Sequence, residues 1–390
     1  MAASACSSGG CRSWPDLPSE LLALVLSRLP SHVDRVRLRA VCLPWRSSVQ
    51  QLQPLPPLLP LLALCDGTFL SLPDGAVHRM PVAADGITSR VSVGSALFLV
   101  HGDNTCSLMD PSSGTTTPVP ELTIWFRKKP VIRKVVVSDR LMAALVEFKP
   151  PWKTSSTKVI VTTRGLRGYC FTEEWDTPEG SHICDIALFQ EKLYVLATET
   201  EQGQQELHVL HTGGCQLVSQ TAIRSIPSPG GDAWFDPYAT DIYVQRNYLI
   251  VSEDRLLMVQ RRIYQPPVFP IDSGIEKRTR VFEVFEVADL DSGSGRWTEV
   301  DTLMGRALFI SEDCSESLPA AGQCSGIGVR EDCIYFMSKD DKYYKRIRVN
   351  PFLDSGVYNM RDQTIMPLMA VTPVVAGDGP WFPTWLFPET

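Results

Sequence analysis

Two textures of hydrophobic spacing meet near residue 60. Before it, apolar residues recur at helical intervals: Leu21, Val25 and Leu29 share one face of a segment from Ser19 to Leu29, and Leu22 and Leu26 fall on the adjoining face. Pro18 stands where a first helical turn tolerates proline, and Pro30 ends the segment. A second helix is expected from Ser31, with Asp34 as its capping-box partner, running through Val33, Val36, Ala40 and Val41 until Pro44 interrupts it. Trp45 and Arg46 follow in a short third piece. These helices are apolar around too much of their circumference for so short a segment. Chains below roughly 40 residues rarely bury enough surface to fold alone, so the surplus must be covered by the rest of the chain or by another protein.

After residue 60 the period changes to that of strands. Runs expected to be extended are Ala96–Val100, Lys134–Val137, Leu141–Phe148, Lys158–Thr163, Leu193–Thr198, Glu206–His211, Tyr248–Ser252, Arg255–Gln260, Arg280–Val287 and Cys333–Ser338. Turn signals separate them: Asp-Gly at 66–67, 74–75, 85–86 and 378–379, Gly-Gly at 213–214 and Ser-Gly at 355–356. A faint repeat joins Asp185-Ile186 to Leu193-Tyr194-Val195, Asp241-Ile242 to Leu249-Ile250-Val251, and Gly326-Ile327 to Ile334-Tyr335-Phe336, each at the same offset. Blades of a propeller recur at ~40–50 residues, so the region would suit six or seven of them. The alternative is a pair of β-sandwiches with the same hairpin grammar. In a propeller, the apolar Leu61–Cys65 run and the segment from Trp381 to Phe387 should pack together and close the ring, with Trp381 or Trp385 partly buried.

The expected class is therefore α+β multidomain, with a small three-helix head and a mainly-β body. Residues 1–13 read as a disordered N-terminus, 14–50 as the helical domain, 51–60 as a Pro/Leu-rich linker and 61–390 as the β-domain. The greasy run Leu52 to Leu64 is too short to span a bilayer and holds Pro54, Pro56, Pro57 and Pro60, so no membrane is implied. The net charge of -7 is uneven. Residues 1–60 hold six arginines against Asp16, Glu20 and Asp34, and the body is correspondingly acidic. An acidic body argues against nucleic acid as a partner, whereas the basic head would suit an acidic protein. The 11 cysteines form no C-x-x-C pair and there is no signal-peptide-like start, which fits reduced thiols in the cytoplasm or nucleus.

The stretch Trp14-Pro15-Asp16-Leu17-Pro18-Ser19-Glu20-Leu21-Leu22, followed by Val25, Leu29-Pro30, Arg39–Cys42 and Trp45-Arg46, resembles an F-box. That resemblance implies docking on a Skp-type adaptor and, through it, a cullin–RING ubiquitin ligase. Carried over by position, the contacts would be Leu17, Pro18, Leu21, Val25, Leu29, Val41, Cys42 and Trp45. Pro44 departs from the family, which usually has a basic or polar residue there. The body is similar to the KIB-type, propeller-like domain of a large plant F-box family. The resemblance rests on Val281-Phe282-Glu283-Val284, Arg296-Trp297-Thr298-Glu299-Val300, Leu308-Phe309-Ile310-Ser311, Cys333-Ile334-Tyr335-Phe336 and Pro380-Trp381-Phe382-Pro383. It implies a substrate-recognition subunit that holds a target protein and does no chemistry itself. Alternatives are an F-box scaffold outside a ligase, or a propeller enzyme or ligand-binding module.

Other constellations have bland readings. Gly322-Gln323-Cys324-Ser325-Gly326 has the shape of a nucleophile elbow, but a β run follows it and no His lies downstream of His211. His208 and His211 would face opposite sides of a strand, and Cys215 completes no metal site with them. No phosphate loop, dinucleotide fingerprint or Asn-x-Ser/Thr sequon is present, and no cofactor is expected. Lys339 to Arg348 reads as a solvated hairpin, and Trp234, Trp297, Trp381 and Trp385 read as blade core.

Overall fold

The computed structural model describes residues 14–29, 32–51, 60–64, 67–72, 77–79, 86–111, 113–119, 122, 131–148, 156–164, 170–177, 181–199, 205–213, 216–223, 242–265, 278–290, 295–320, 329–337, 354–369 and 383–387. The expected disordered N-terminus and most of the linker lie outside these residues.

The head is three helices, α1 (Ser19–Ser27), α2 (His32–Val41) and α3 (Leu43–Gln51). Of the two apolar faces of α1, Leu22 and Leu26 point inward and join Leu38 and Val49 in a small core, edged by Leu17, Leu29 and Trp45. Pro44 does not interrupt a helix, as its chemistry had suggested. It sits in the first turn of α3, where its missing N–H would have had no partner anyway. Two hydrogen bonds tie the loose ends: the Trp45 indole Nε1 donates to the Trp14 carbonyl at 2.9 Å, and Arg35 Nε donates to the Leu29 carbonyl at 2.8 Å.

Beyond Gln51 the described residues contain no further α-helix, and the strands form six sheets. Each sheet is one blade of a six-bladed β-propeller. Blades 2 to 5 are four-stranded antiparallel meanders whose first strands, Ile87–Val93, Val131–Val137, Ser181–Phe189 and Ile242–Ser252, stand at the sheet edge. These inner strands pack on one another around the central channel. All ten expected strands are present, most extended by a few residues; the last ends at Phe336, and Ser338 lies outside the described residues.

The hydrophobic core is distributed over the six blade junctions. Val91, Phe98 and Ile160 fill the junction of blades 2 and 3, and Leu145, Ile186 and Leu193 that of 3 and 4. Leu207, Met258 and Trp297 lie between 4 and 5, and Ile250, Phe282 and Ile334 between 5 and 6. Trp385 and Phe309 serve blades 6 and 1, and Phe69 and Leu97 blades 1 and 2. Alternate residues of one strand therefore face different junctions, so both faces of each blade are apolar.

Blade 1 closes the ring as the apolar ends suggested. Thr384–Leu386 pairs antiparallel with Leu61–Ala63, Trp385 opposite Leu62, and takes the inner position. Trp385 is fully buried, and Trp381 lies outside the described residues. Blade 6 departs from the meander. Ser315–Pro319 takes its inner edge, while Arg306–Ile310 lies second and pairs parallel with Cys333–Phe336. Parallel neighbours need a long crossover, and this one is bridged by residues 311–332.

The repeat seen in the sequence is not a structural repeat. Leu193–Val195 lies in the second strand of blade 4, Leu249–Val251 in the inner strand of blade 5 and Ile334–Phe336 in the third strand of blade 6 counted from the channel. Hydrophobic triplets recur in every buried strand, so an offset alone cannot align blades. The recurring element in blades 2 to 5 is the tight hairpin after the inner strand, and in blade 4 it is made by Gln190 (φ 48) and Glu191 (φ 61) without glycine.

The Ser-Gly signal at 355–356 is also no turn. Gly356 begins a strand, and a Cβ there would lie 2.8 Å from the Met366 carbonyl oxygen and 3.0 Å from Ile365 Cγ2. Gly356→Ala should lower stability by about 1–3 kcal/mol, the usual cost of overpacking. Urea denaturation of the two proteins measures it, and an unchanged midpoint would show that the neighbouring strand yields freely.

Candidate functional site

The head carries an apolar face that its own core does not use. Leu21, Leu24, Val25, Val36, Val41 and Leu43 are all exposed, Leu43 by 75% and Val41 by 61%, although the inner face is already filled. Single exposed apolar residues are ordinary; six on three short helices is a dense set for so small a head. The eight positions named from the sequence divide accordingly. Pro18, Leu21, Val25 and Val41 are exposed, and Cys42 is half-buried. Leu17, Leu29 and Trp45 are half-buried because they lean on the head's own core. Leu24, Val36 and Leu43 belong to the same exposed set and were not named, although their helical spacing carried the signal.

In the propeller, polar chemistry gathers in the channel. Its waist is a buried ion pair: Lys134 Nζ lies 2.9 Å from Asp185 Oδ2 and also donates to the Leu249 carbonyl at 3.2 Å. Asp185 accepts from the Leu249 and Ile186 amides at 2.7 and 2.8 Å. Burial pushes the Asp185 carboxyl above its ordinary range, and Lys134 and the two amides pull it back. The pair thereby stitches the inner strands of blades 3, 4 and 5.

Two β-bulges place these groups. Register shifts leave Arg133 as the extra residue in blade 3 and Cys184 as the extra residue in blade 4. A bulge re-aims the residues on either side of it, so Arg133 and Cys184 reach one cavity, which Asp185 also lines, while Lys134 and Asp185 meet at the waist. That cavity has a volume of about 510 Å³ and opens between blades 3, 4 and 5. Arg133 contacts Glu147 at 2.6 Å and Glu312 at 3.3 Å, and Arg246 lies 3.7 Å from Glu312. Burial, with Arg246 next, lowers the His182 pKa, which favours a neutral ring. Burial pushes the Cys184 thiol up to about 11, and it lies 2.9 Å from the Thr198 hydroxyl. A thiol held protonated is a poor nucleophile.

The remaining constellations do not converge. His208 is buried beside Glu206 at 3.2 Å while His211 is exposed on the opposite face. No group of His, Cys, Asp and Glu that could hold a metal ion occurs among the described residues. Trp297 is buried at a blade junction, as expected of blade core. Cys215, the 322–326 motif, the Lys339 to Arg348 run and Trp234 lie outside the described residues.

Comparisons with known proteins agree with this architecture. The KIB1-4 beta-propeller family matches residues 69–359, and an F-box-like domain matches residues 14–52. An F-box protein of Arabidopsis thaliana is 50% identical over 36 residues, which is 9% of this chain and 10% of that protein. The match thus spans about a tenth of the relative's length. Among solved structures, oligogalacturonate lyase in complex with manganese aligns with a TM-score of 0.34 and 11% identity, covering 83% of this chain and 82% of that one. The N-terminal domain of Nup159 aligns with a TM-score of 0.27 and 9% identity, covering 56% and 67%. Scores this low bear on no function. A family match over most of the six blades, behind a separately matched three-helix head, establishes that this chain belongs to the KIB1-4 β-propeller family and carries an F-box-like domain ahead of the propeller.

Proposed function

We propose that the chain is the substrate-recognition subunit of a Skp–cullin–F-box ubiquitin ligase. The observation that carries this reading is the exposed apolar face of an F-box-like head whose core is already complete. Covering that face with a Skp-type adaptor removes it from water, which favours association by roughly 25 cal/mol per Å² before the costs of docking. The propeller then holds a target protein, in the cytoplasm or the nucleus. The chain does no bond chemistry in this scheme. It raises the effective concentration of target lysines near the charged conjugating enzyme.

Leu21→Ala with Val41→Ala tests the docking face without touching the core, because both side chains are exposed. Leu17→Ala is a poorer probe, since Leu17 also leans on the head's own core. A central apolar anchor is worth about 2 kcal/mol or more, so each truncation should weaken adaptor capture by ~30-fold. The melting temperature should stay near that of the parent protein. Undiminished capture of a purified Skp adaptor would overturn the docking face. Capture of the adaptor without any cullin in the complex would instead identify a scaffold that works outside a ligase.

A further inference from the structure

The cavity between blades 3, 4 and 5 contains buried polar atoms that the protein leaves unused. Gln205 (7% exposed) and Gln260 (1% exposed) both line it, and the Oε1 atom of each has no hydrogen-bond partner among the described residues. A buried side-chain oxygen without a partner costs about 1–3 kcal/mol in a folded protein. Native structures leave few such atoms, and each calls for an explanation such as a bound water or ligand. Two such amide oxygens in one cavity, on neighbouring blades and beside the buried Tyr248 hydroxyl, point to an occupant that supplies donors.

The surrounding groups define that occupant's chemistry. Charge in the cavity is internally balanced, because the Arg133 guanidinium is met by Glu147 and Glu312 and Arg246 by Glu312. An anion would have to compete with these carboxylates, and a cation with the arginines. Asp185 also lines it and is met by Lys134 at 2.9 Å. Most of the remaining polar lining is uncharged, chiefly the amides of Gln205, Gln245, Asn247 and Gln260 and the hydroxyls of Thr157 and Thr198. Gln245 Nε2 donates to Asn247 Oδ1 at 3.0 Å, and Thr157 Oγ1 accepts from the Ile183 amide at 2.8 Å, so these groups are held in fixed orientations. Leu145, Ile183 and Val244 supply apolar wall. Paired hydroxyls that both donate and accept suit such a set of primary amides. At about 510 Å³ the cavity lies within the ~300–1,000 Å³ span of small-molecule sites.

We infer that this channel cavity is a binding site for a neutral, polyhydroxylated small molecule of monosaccharide to disaccharide size, held by Gln205 and Gln260 on adjacent blades. It is independent of the F-box face and stands or falls separately from the ligase reading.

Saturation-transfer NMR and thermal-shift titration of the full chain with D-glucose, D-galactose, sucrose and myo-inositol test this. At least one of the four should bind saturably. In Gln260→Leu that binding should weaken by at least tenfold, with a melting temperature near the parent's, because the Oε1 acceptor it removes has no hydrogen-bond partner among the described residues. If Gln260→Leu melts markedly lower, the Gln260 amide is structural and that half of the inference is lost; Gln205→Leu then carries the same comparison for the other. The site assignment is overturned if none of the neutral probes saturates, which would leave water as the occupant, or if both leucine variants bind as the parent does. Binding of D-glucuronate or glucose 6-phosphate alone would place the affinity in Arg133 and Arg246 and overturn the neutral class.

Discussion

Trp385→Ala should destabilise the whole propeller by about 3–5 kcal/mol, the usual cost of emptying a large aromatic site. Trp385 is fully buried at the junction of blades 6 and 1, where its ring meets Phe309 edge-on at 5.2 Å between centroids. Its indole Nε1 donates to the Ile310 carbonyl of blade 6 at 3.2 Å, so truncation also leaves a buried acceptor unpaired. The strand that carries it is tied to both neighbours, Thr384 Oγ1 bonding Asp313 at 2.9 Å and the Phe387 amide bonding the Gly94 carbonyl at 3.1 Å. For a domain of this size the melting temperature should fall by on the order of 10 °C. Removing residues 383–390 should do more, since it exposes the ladder edge of Leu61–Ala63 and opens the ring to edge-to-edge association. A truncated protein that melts with the parent would show that the ring is closed by other contacts.

A second large loss is expected at the waist of the channel. Lys134→Met leaves Asp185 buried without its cation, and breaking a buried pair from one side costs about 3–5 kcal/mol. The loss has a pH signature. A carboxyl whose pKa is higher in the folded chain than in the unfolded one binds more protons when folded, so its contribution to stability declines as pH rises through that interval. Burial already raises Asp185, and Lys134 opposes the rise; the same cation opposes the burial-driven rise at Glu316. Without Lys134 both carboxyls should titrate higher. The deficit of the variant relative to the parent should therefore be largest at neutral pH and shrink on acidification through the raised carboxyl range. Lys134→Met combined with Asp185→Asn should recover most of it at neutral pH, because no buried charge remains at the pair. Urea midpoints measured across pH decide the point: a deficit that does not change with pH would mean that Lys134 stabilises by packing its stem, not by its charge.

The two large effects differ in how far the sequence foretold them. Closure by the C-terminal apolar segment was legible, because a strand-rich domain with greasy ends has an edge to hide and only its other end to hide it with. The Lys134–Asp185 pair was not. Arg133-Lys134 sits within the apolar run Val131–Val137, and simple alternation would send the two side chains to opposite faces. A β-bulge at Arg133 and another at Cys184 break that alternation, and nothing local in the chain marks them. The glutamines of the cavity were equally silent, since a polar residue in a strand reads as solvent-facing until its blade is placed beside the next.

The sequence by itself determined the elements, the boundary between a helical head and a β-body, and both family resemblances. It could do so because periodicity, proline placement and motif spacing are local properties of the chain. It also showed that the head has more apolar surface than it can bury. Which face stays outside was decided only by tertiary structure: Leu22 and Leu26 turn in and Leu21 and Val25 turn out, although both pairs recur at the same helical interval. The number of blades, the inverted strand order of blade 6 and the convergence of the channel residues were decided the same way. They depend on contacts between segments far apart in the chain, where a hydrophobic triplet in one blade looks like a hydrophobic triplet in any other, and only packing against a neighbour tells them apart.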